Sequence, residues 1–264
     1  MARKHNPQVL KELEHIKNTV QQMDENEPKK KVLITGSTDG IGLMTAQHLK
    51  SRGHTVIGHA RNKQRAADLE AIIPTIDQIL IADFTNNDEV MQFAKDSQQF
   101  KNLDTVIHNA GIHSGPDLFT VNVVVPYILT QIMDKPKQLI YLSSMDHGWG
   151  NYNLAHIKQN KVSYADTKLH IAMIALAFQR LYPNSQINPI EPGWVPTNMG
   201  GLGAPDEMAI SYMTQVNLIE ERIHYNGTLL VDSRPVKNPN PTLLNTDAQE
   251  ELICYLIERT GLNI

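Results

Sequence analysis

The feature that constrains this chain most is a glycine-rich turn caught between two apolar patterns. Val32-Leu33-Ile34 is a short apolar run with the length of a strand buried on both faces. Thr35-Gly36-Ser37-Thr38-Asp39-Gly40-Ile41-Gly42 follows it, and Ile41, Met44, Ala46 and Leu49 then recur with helical spacing. A strand, a sharp turn and a helix start gather backbone N–H groups and the positive end of a helix dipole in one place. Glycines let the chain turn there and let a pyrophosphate come close to the backbone. The spacing is G-x-x-x-G-x-G and not G-x-G-x-x-G, so the setting carries the reading more than the glycines do. A plain tight turn is the alternative.

The same alternation continues along the chain. Thr55-Val56-Ile57, Gln78 to Ile81, Leu103 to Ile107, Gln138 to Leu142, Gln186 to Ile190 and Thr228 to Val231 read as further strands. Helical patterns run from Gln64 to Ile72 and from Asp88 to Ala94, and a last helix from Asp247 to Arg259 stops at Gly261. This order predicts an α/β fold: a single-domain, Rossmann-type, doubly wound parallel sheet of about seven strands with helices on both faces. Ahead of it, Val9, Leu10, Leu13, Ile16 and Val20 form one apolar stripe, and a charged stretch from Asp24 to Lys31 with Pro28 ends that helix. Residues 1–30 therefore read as a helical extension and charged linker, and residues 31–264 as the dinucleotide-binding and catalytic domain. The extension is expected to be a surface-packed appendage, pairing with a partner being the other reading.

Composition narrows the function. With 24 Lys and Arg against 28 Asp and Glu the net charge is −4, which gives no basic surface for a nucleic-acid backbone. The single Cys254 excludes an internal disulfide and a cysteine-based zinc cluster, and fits a reducing compartment. No window has the length and apolarity of a membrane span; the nearest, Leu118 to Met133, is broken by Asn122, Pro126 and Gln131. A cytoplasmic protein is expected. Leu118 to Met133 and Leu169 to Phe178 are apolar on nearly every face, so each needs cover on both sides. A second subunit, making a homodimer, is the expected cover; burial within one chain is the alternative. No H-E-x-x-H, G-x-S-x-G or G-K-[ST] motif occurs, and no metal site is expected.

Further motifs fall on this frame in a fixed order. His108-Asn109-Ala110-Gly111 follows the fourth strand and Ala82-Asp83-Phe84 the third. Ser143-Ser144 ends the fifth strand, Tyr164-Ala165-Asp166-Thr167-Lys168 lies in a helical segment, and Pro192-Gly193-Trp194-Val195-Pro196-Thr197 follows the sixth strand. Together they resemble the short-chain dehydrogenase/reductase family from about Lys31 to the C-terminus, with its T-G-x-x-x-G-x-G, N-N-A-G, Y-x-x-x-K and P-G-x-V-x-T elements. His108 stands where the family has its first Asn. The short gap from Asn109 to Asn122, the long one from Ser144 to Tyr164, and the tail Asn226-Gly227-Thr228 with its Pro/Asn loop resemble the retinol-dehydrogenase-like branch.

That resemblance implies a nicotinamide cofactor held by Gly36, Ser37, Thr38, Asp39, Gly40, Ile41 and Gly42 at the phosphates. It implies Asp83 against the adenine, Asn109, Ala110 and Gly111 along the crevice, and Pro192, Gly193, Val195 and Thr197 on the nicotinamide side. At the end of the second strand Ala60 replaces the acidic residue of NAD-preferring relatives, and Arg61 offers a planar fork to a 2′-phosphate. NADP(H) is therefore expected over NAD(H), with Asp39 a mild contrary sign and a solvated surface charge the alternative for Arg61.

Tyr164 and Lys168, four apart on one helix, share a face. A phenol near pKa ~10 exchanges protons poorly at neutral pH, and a neighbouring ammonium is expected to lower it. The resemblance gives Lys168 a second bond, to the nicotinamide ribose. It makes Tyr164 the proton donor to a carbonyl or acceptor from an alcohol, Ser144 the hydroxyl that steadies the same oxygen, and Asn122 the holder of a relay water. Met145, Trp149, Tyr152, Trp194, Met199, Met208 and Met213 border this region and suggest a small, apolar substrate, core packing being the other account. The expected activity is NADP(H)-dependent reduction of a carbonyl or oxidation of the corresponding alcohol. A catalytically silent dinucleotide sensor is the rival, and an epimerase or dehydratase on the same frame is a third reading.

Overall fold

Short apolar runs become strands here because those at the centre of the sheet are covered above and below by helices, as a parallel sheet permits. The computed structural model describes residues 5–263. In chain order the elements are α1 (Pro7–Thr19), β1 (Lys31–Ile34), α2 (Gly40–Arg52), β2 (Thr55–Ala60), α3 (Lys63–Ile72), β3 (Gln78–Ile81), α4 (Asn87–Ser97) and β4 (Thr105–His108). Then come a π-helical turn (Thr120–Val124), α5 (Val125–Ile132), β5 (Gln138–Leu142), a 3₁₀ turn (Met145–Trp149), α6 (Leu154–Lys158), α7 (Tyr164–Leu181) and β6 (Gln186–Glu191). The chain closes with α8 (Met208–Ile219), β7 (Leu230–Val231), β8 (Arg234–Pro235), a second 3₁₀ turn (Pro241–Leu244) and α9 (Thr246–Thr260).

The sheet order is β3-β2-β1-β4-β5-β6-β7-β8, parallel from β3 through β7. The strand order reverses direction between β1 and β4, and the crevice at their C-terminal ends is where an open α/β sheet binds ligands. An eighth strand joins the seven expected. It is a two-residue antiparallel partner of β7, turned by Asp232 and Ser233, both at positive φ. The Val231-Asp232-Ser233-Arg234 stretch lacks the glycine that usually signals such a turn.

Alternation along the strands divides the core in two. Leu33, Ile57 and Val106 face the side of α4, α5, α7 and α9, where Phe93, Tyr127, Phe178 and Leu256 are buried. Val32, Ile34 and Ile107 face α1, α2 and α8, where Leu13, Leu49 and Val216 are buried.

The two all-apolar helical segments are covered within one chain. Leu252, Ile253 and Leu256 of α9 are buried in the same core as α7, and Arg180 Nη1 donates to Gln249 Oε1 across that pair at 2.5 Å. Tyr127 of α5 donates to Leu262 O just beyond α9, at 2.7 Å. The cover that was expected from a second subunit thus comes from this chain, from α4 on α5 and from α9 on α7.

At the other end of the chain, α1 docks on α2 through Val9, Leu13 and Ile16, while Leu10 of the expected stripe is exposed. Tyr212 of α8 donates to Glu12 Oε1 at 2.6 Å and secures the extension from a second side. Residues 1–4 of that extension lie outside the described residues. No helix among the described residues is long and apolar enough to cross a membrane.

Candidate active site

The glycine turn is fixed by contacts that tolerate no side chain. Gly36 has φ +68°, and a Cβ there would meet Ala110 Cα at 2.9 Å. A Cβ on Gly42 would fall 2.5 Å from both Gly36 O and Asn109 Nδ2. Asn109 holds the turn from the β4 side, donating from Nδ2 to Thr35 O (2.8 Å) and Gly36 O (3.0 Å), while Thr35 Oγ1 accepts from the N–H groups of Asn109 and Ala110.

His59 holds the turn from the β2 side. Its Nδ1 accepts from Gly36 N and its Nε2–H donates to Ala82 O, both at 2.9 Å. Its ring stacks on Phe84 at 4.0 Å, and burial keeps its pKa down at about 4. The neutral Nε2–H tautomer is thus set by its two partners.

The expected phosphate-side residues divide into two kinds. The Ser37 hydroxyl is fully buried and accepts from His59 N at 2.8 Å, and the Ser37 N–H donates to His59 O at 3.2 Å, so both groups are turned to β2 and not to a ligand. Thr38 O accepts from Arg65 Nη2 at 2.9 Å. Asp39 caps α2: its side chain accepts from Gly40 N (2.8 Å) and Asn198 Nδ2 (2.8 Å), and His5 Nδ1 lies 3.2 Å away. Burial pushes its carboxyl up, but those hydrogen bonds outweigh it and hold the group below its ordinary range. Gly40, Ile41 and Gly42 open α2, whose first-turn N–H groups have no helical partner.

Arg61 is exposed just after β2. Asp83 accepts from Thr85 N and Thr85 Oγ1, and its carboxyl is lowered first by that backbone bond, with the Arg61 charge adding to it. Gly111 sits where a Cβ would lie 3.2 Å from Asn122 Oδ1 and 3.6 Å from Lys168 Nζ.

At the start of α7 a capping box places the catalytic candidates. Ser163 Oγ accepts from Asp166 N and Asp166 Oδ2 accepts from Ser163 N, so the helix begins at Tyr164 and brings Lys168 round one turn later. Ser143 Oγ is turned inward, donating to Lys168 O at 2.8 Å, whereas Ser144, whose Oγ accepts from Asp146 N at 3.1 Å, lines the same cleft as Tyr164. Lys168 Nζ is buried, donates to Leu142 O at 2.8 Å and lies 5.5 Å from the Tyr164 ring centre.

Burial lowers the Lys168 pKa to about 8, against the Asp146 carboxylate, which supports the ammonium. Burial and then Asp146 push Tyr164 up to about 12, Ser144 offsetting part of that. The expected lowering of the phenol by Lys168 is therefore reversed by desolvation and a neighbouring carboxylate, which keep the Tyr164 hydroxyl protonated at neutral pH.

Asn122 lies in the π-helical turn. Its Oδ1 accepts from Ile112 N (2.8 Å) and its Nδ2 donates to Ile112 O (2.9 Å) and Thr167 Oγ1 (3.0 Å). The wide turn lets one side chain grip the shortened loop and α7 together. His108 points away from this region. It is buried against Tyr141 (4.6 Å), its Nε2 lies 3.1 Å from Thr130 Oγ1, and burial holds its pKa down at about 3.

Around Tyr164 lies a cleft of about 430 Å³, bounded by Ile41, Ser144, Pro192, Gly193, Val195 and Thr197. Of the apolar side chains expected at its border, Met145, Trp194 and Met199 line it, with Met199 Sδ 3.9 Å from the Tyr164 hydroxyl. Trp149, Tyr152, Met208 and Met213 do not line it; Tyr152 instead donates to Glu251.

Three lining residues had no sequence signal, His113, Asp146 and Gly200, of which the first two carry titratable side chains. The His113 ring lies 4.7 Å from that of Tyr164. His113 and Asp146 stand in loops of irregular spacing, where only the fold decides which side chain turns inward. His59 and Asn198 escaped notice for a related reason: a strand position and a loop position acquire their roles from the glycine turn they meet.

A family model described as short chain dehydrogenase matches residues 30–133. An oxidoreductase of Emericella nidulans is 36% identical over 255 residues, which cover 89% of this chain and 98% of that protein. A short-chain dehydrogenase of Penicillium rubens, chyC, is 32% identical over 254 residues, again 89% and 98% of the two chains. Among solved structures, a short chain dehydrogenase of Shigella flexneri complexed with NADP shares the fold, with a TM-score of 0.63 and 21% identity over 80% of this chain and all of that one.

Proposed function

The chain belongs to the short-chain dehydrogenase family, and from that premise we propose that it reduces a carbonyl, or oxidises the corresponding alcohol, of a small apolar substrate, with NADP(H) as cofactor and Tyr164 as the proton-exchanging group. The observation that carries this reading is the meeting of the Tyr164 hydroxyl, the Ser144 hydroxyl and the nearby Lys168 ammonium at the wall of one cleft.

The crevice suits a dinucleotide. A helix start with unpaired N–H groups stands beside a turn that glycine alone can form, and Lys168 Nζ spends one of its three donors on Leu142 O among the described residues. Gly36, Gly40, Ile41 and Gly42, the backbone of Thr38, and Asn109, Ala110 and Gly111 would hold the cofactor, with Asp83 at its adenine end and Pro192, Gly193, Val195 and Thr197 beside the nicotinamide. When bound, it supplies or accepts the hydride.

The remaining chemistry belongs to the chain. The Tyr164 phenol is protonated at neutral pH and donates to the carbonyl oxygen as charge develops there, its raised pKa being offset by that developing charge. Ser144 donates to the same oxygen and stabilises the charge that develops there. Lys168, buried beside the ring, orients that wall and binds the ribose. Asn122 ties Ile112 to Thr167 and keeps the loop carrying His113 against α7. Met145, Trp194 and Met199, exposed on the cleft wall, offer apolar surface for a substrate to bury.

NADP(H) is supported by Arg61, exposed after β2, by Ala60 in place of an acidic residue, and by the NADP found in the Shigella flexneri structure. The test is steady-state turnover of a ketone and aldehyde panel with NADPH and with NADH. A lower KM for NADPH, and loss of about a thousandfold in kcat on Tyr164→Phe, are expected. Turnover indifferent to Tyr164→Phe, or a preference for NADH, would overturn the corresponding part.

A further inference from the structure

The substrate cleft carries a fixed negative charge that the proposed chemistry does not use. Asp146 lies two residues after Ser144 in the 3₁₀ turn, lines the cleft with Tyr164, and is only half-exposed. Its backbone N–H donates to Ser144 Oγ, but its carboxylate makes no hydrogen bond and no ion pair among the described residues. Lys168 feels that charge, yet gives its hydrogen bond to Leu142 O.

No other cation answers Asp146. Glu191, close by, is pushed above its ordinary range by burial, relieved in part by His147, and pushed again by Asp206 and Asp146. His113 is the other titratable group on the cleft wall, and it rests against the Tyr164 ring. A partly exposed carboxylate on a cleft wall is hydrated until a ligand displaces its water, and from then on it favours a ligand that brings the counter-charge.

We propose that Asp146 sets substrate choice within that cleft, selecting carbonyl compounds whose apolar body also bears a protonated amine and rejecting those that bear a carboxylate. This rests on the reductase reading for the carbonyl and on the cleft itself for the charge. An ammonium on the substrate would meet Asp146 in a partly dry site, where an ion pair counts for more than at the surface. A keto acid would meet repulsion from the same group.

The experiment uses three acetophenones with an aminomethyl, a methyl or a carboxylate group in the para position. Binding of each to the protein saturated with NADP⁺ is measured by calorimetry, where no turnover occurs, and reduction of each is measured with NADPH. The aminomethyl ketone should bind about tenfold more tightly than the methyl ketone, and the carboxylate most weakly. Asp146→Asn should bring the three within about twofold, and Asp146→Glu should retain the order.

Equal binding of all three to the native protein, an order that survives Asp146→Asn, or no binding of the aminomethyl ketone overturns the proposal. An effect of Asp146→Asn confined to NADP⁺ affinity overturns it as well. Charge selection without reduction of any ketone leaves Asp146 as the selector and removes the reductase reading. Reduction without charge selection does the reverse.

Discussion

Lowering the pH should unfold this protein well above the range where carboxylates titrate, and four histidines set the magnitude. His48, His59, His108 and His170 are all nearly inaccessible, and burial lowers their pKa values to about 4, 4, 3 and 4. In the unfolded chain each returns to about 6.5. The folded pKa is the lower one, so the unfolded state binds more protons below pH ~6.5 and stability falls as the pH falls. The loss begins near pH 6.5 and is complete only below the folded values of about 3 to 4.

At pH 5.5 each histidine costs about 1.4 kcal/mol relative to neutral pH, and the four together roughly 5 to 6 kcal/mol. A domain of ordinary stability has about 5 to 15 kcal/mol to lose. Urea unfolding followed at pH 7.5, 6.5 and 5.5 should therefore show a steep fall in midpoint at constant m-value. His108→Asn removes one of the four, and should shrink the difference between pH 7.5 and 5.5 by about a quarter even if it destabilises the protein throughout. A stability that stays flat from pH 7.5 to 5.5, or a slope untouched by His108→Asn, would refute the reasoning.

Two further substitutions address the site's scaffold. Gly42→Ala places a methyl 2.5 Å from Gly36 O and Asn109 Nδ2, and should destabilise by about 2 kcal/mol despite alanine's helix preference; NADPH titration should show weaker binding with it. Asn122→Ala strips Ile112 and Thr167 of three hydrogen bonds and should cost about 3 kcal/mol in urea unfolding, with kcat falling as the His113 loop loosens.

Much of the architecture was legible because local rules and the tertiary structure agree. Strands such as Gln138 to Leu142 are apolar throughout because both faces are covered, and Gly261 ends the last helix where the sequence says it should. The family and the oxidoreductase class were legible in the joint order of short motifs.

What stayed hidden depends on contacts between distant residues. Nothing in the composition of Leu118 to Met133 reveals that α4 and the flank of α9 will cover it. Ser37 looks like one more residue of a phosphate turn until β2 draws its hydroxyl inward. Tyr164 and Lys168 advertise a lowered phenol, but burial and Asp146, a residue without motif, reverse the sign.

The cover that α9 provides has a consequence during synthesis. A nascent chain carries one face of α7 as a bare oily surface until the last helix has left the ribosome and folded back on it. Throughout that interval the polypeptide is a natural client for a holding chaperone, and chains truncated before α9 should collect in inclusion bodies however intact their glycine turn and tyrosine may be.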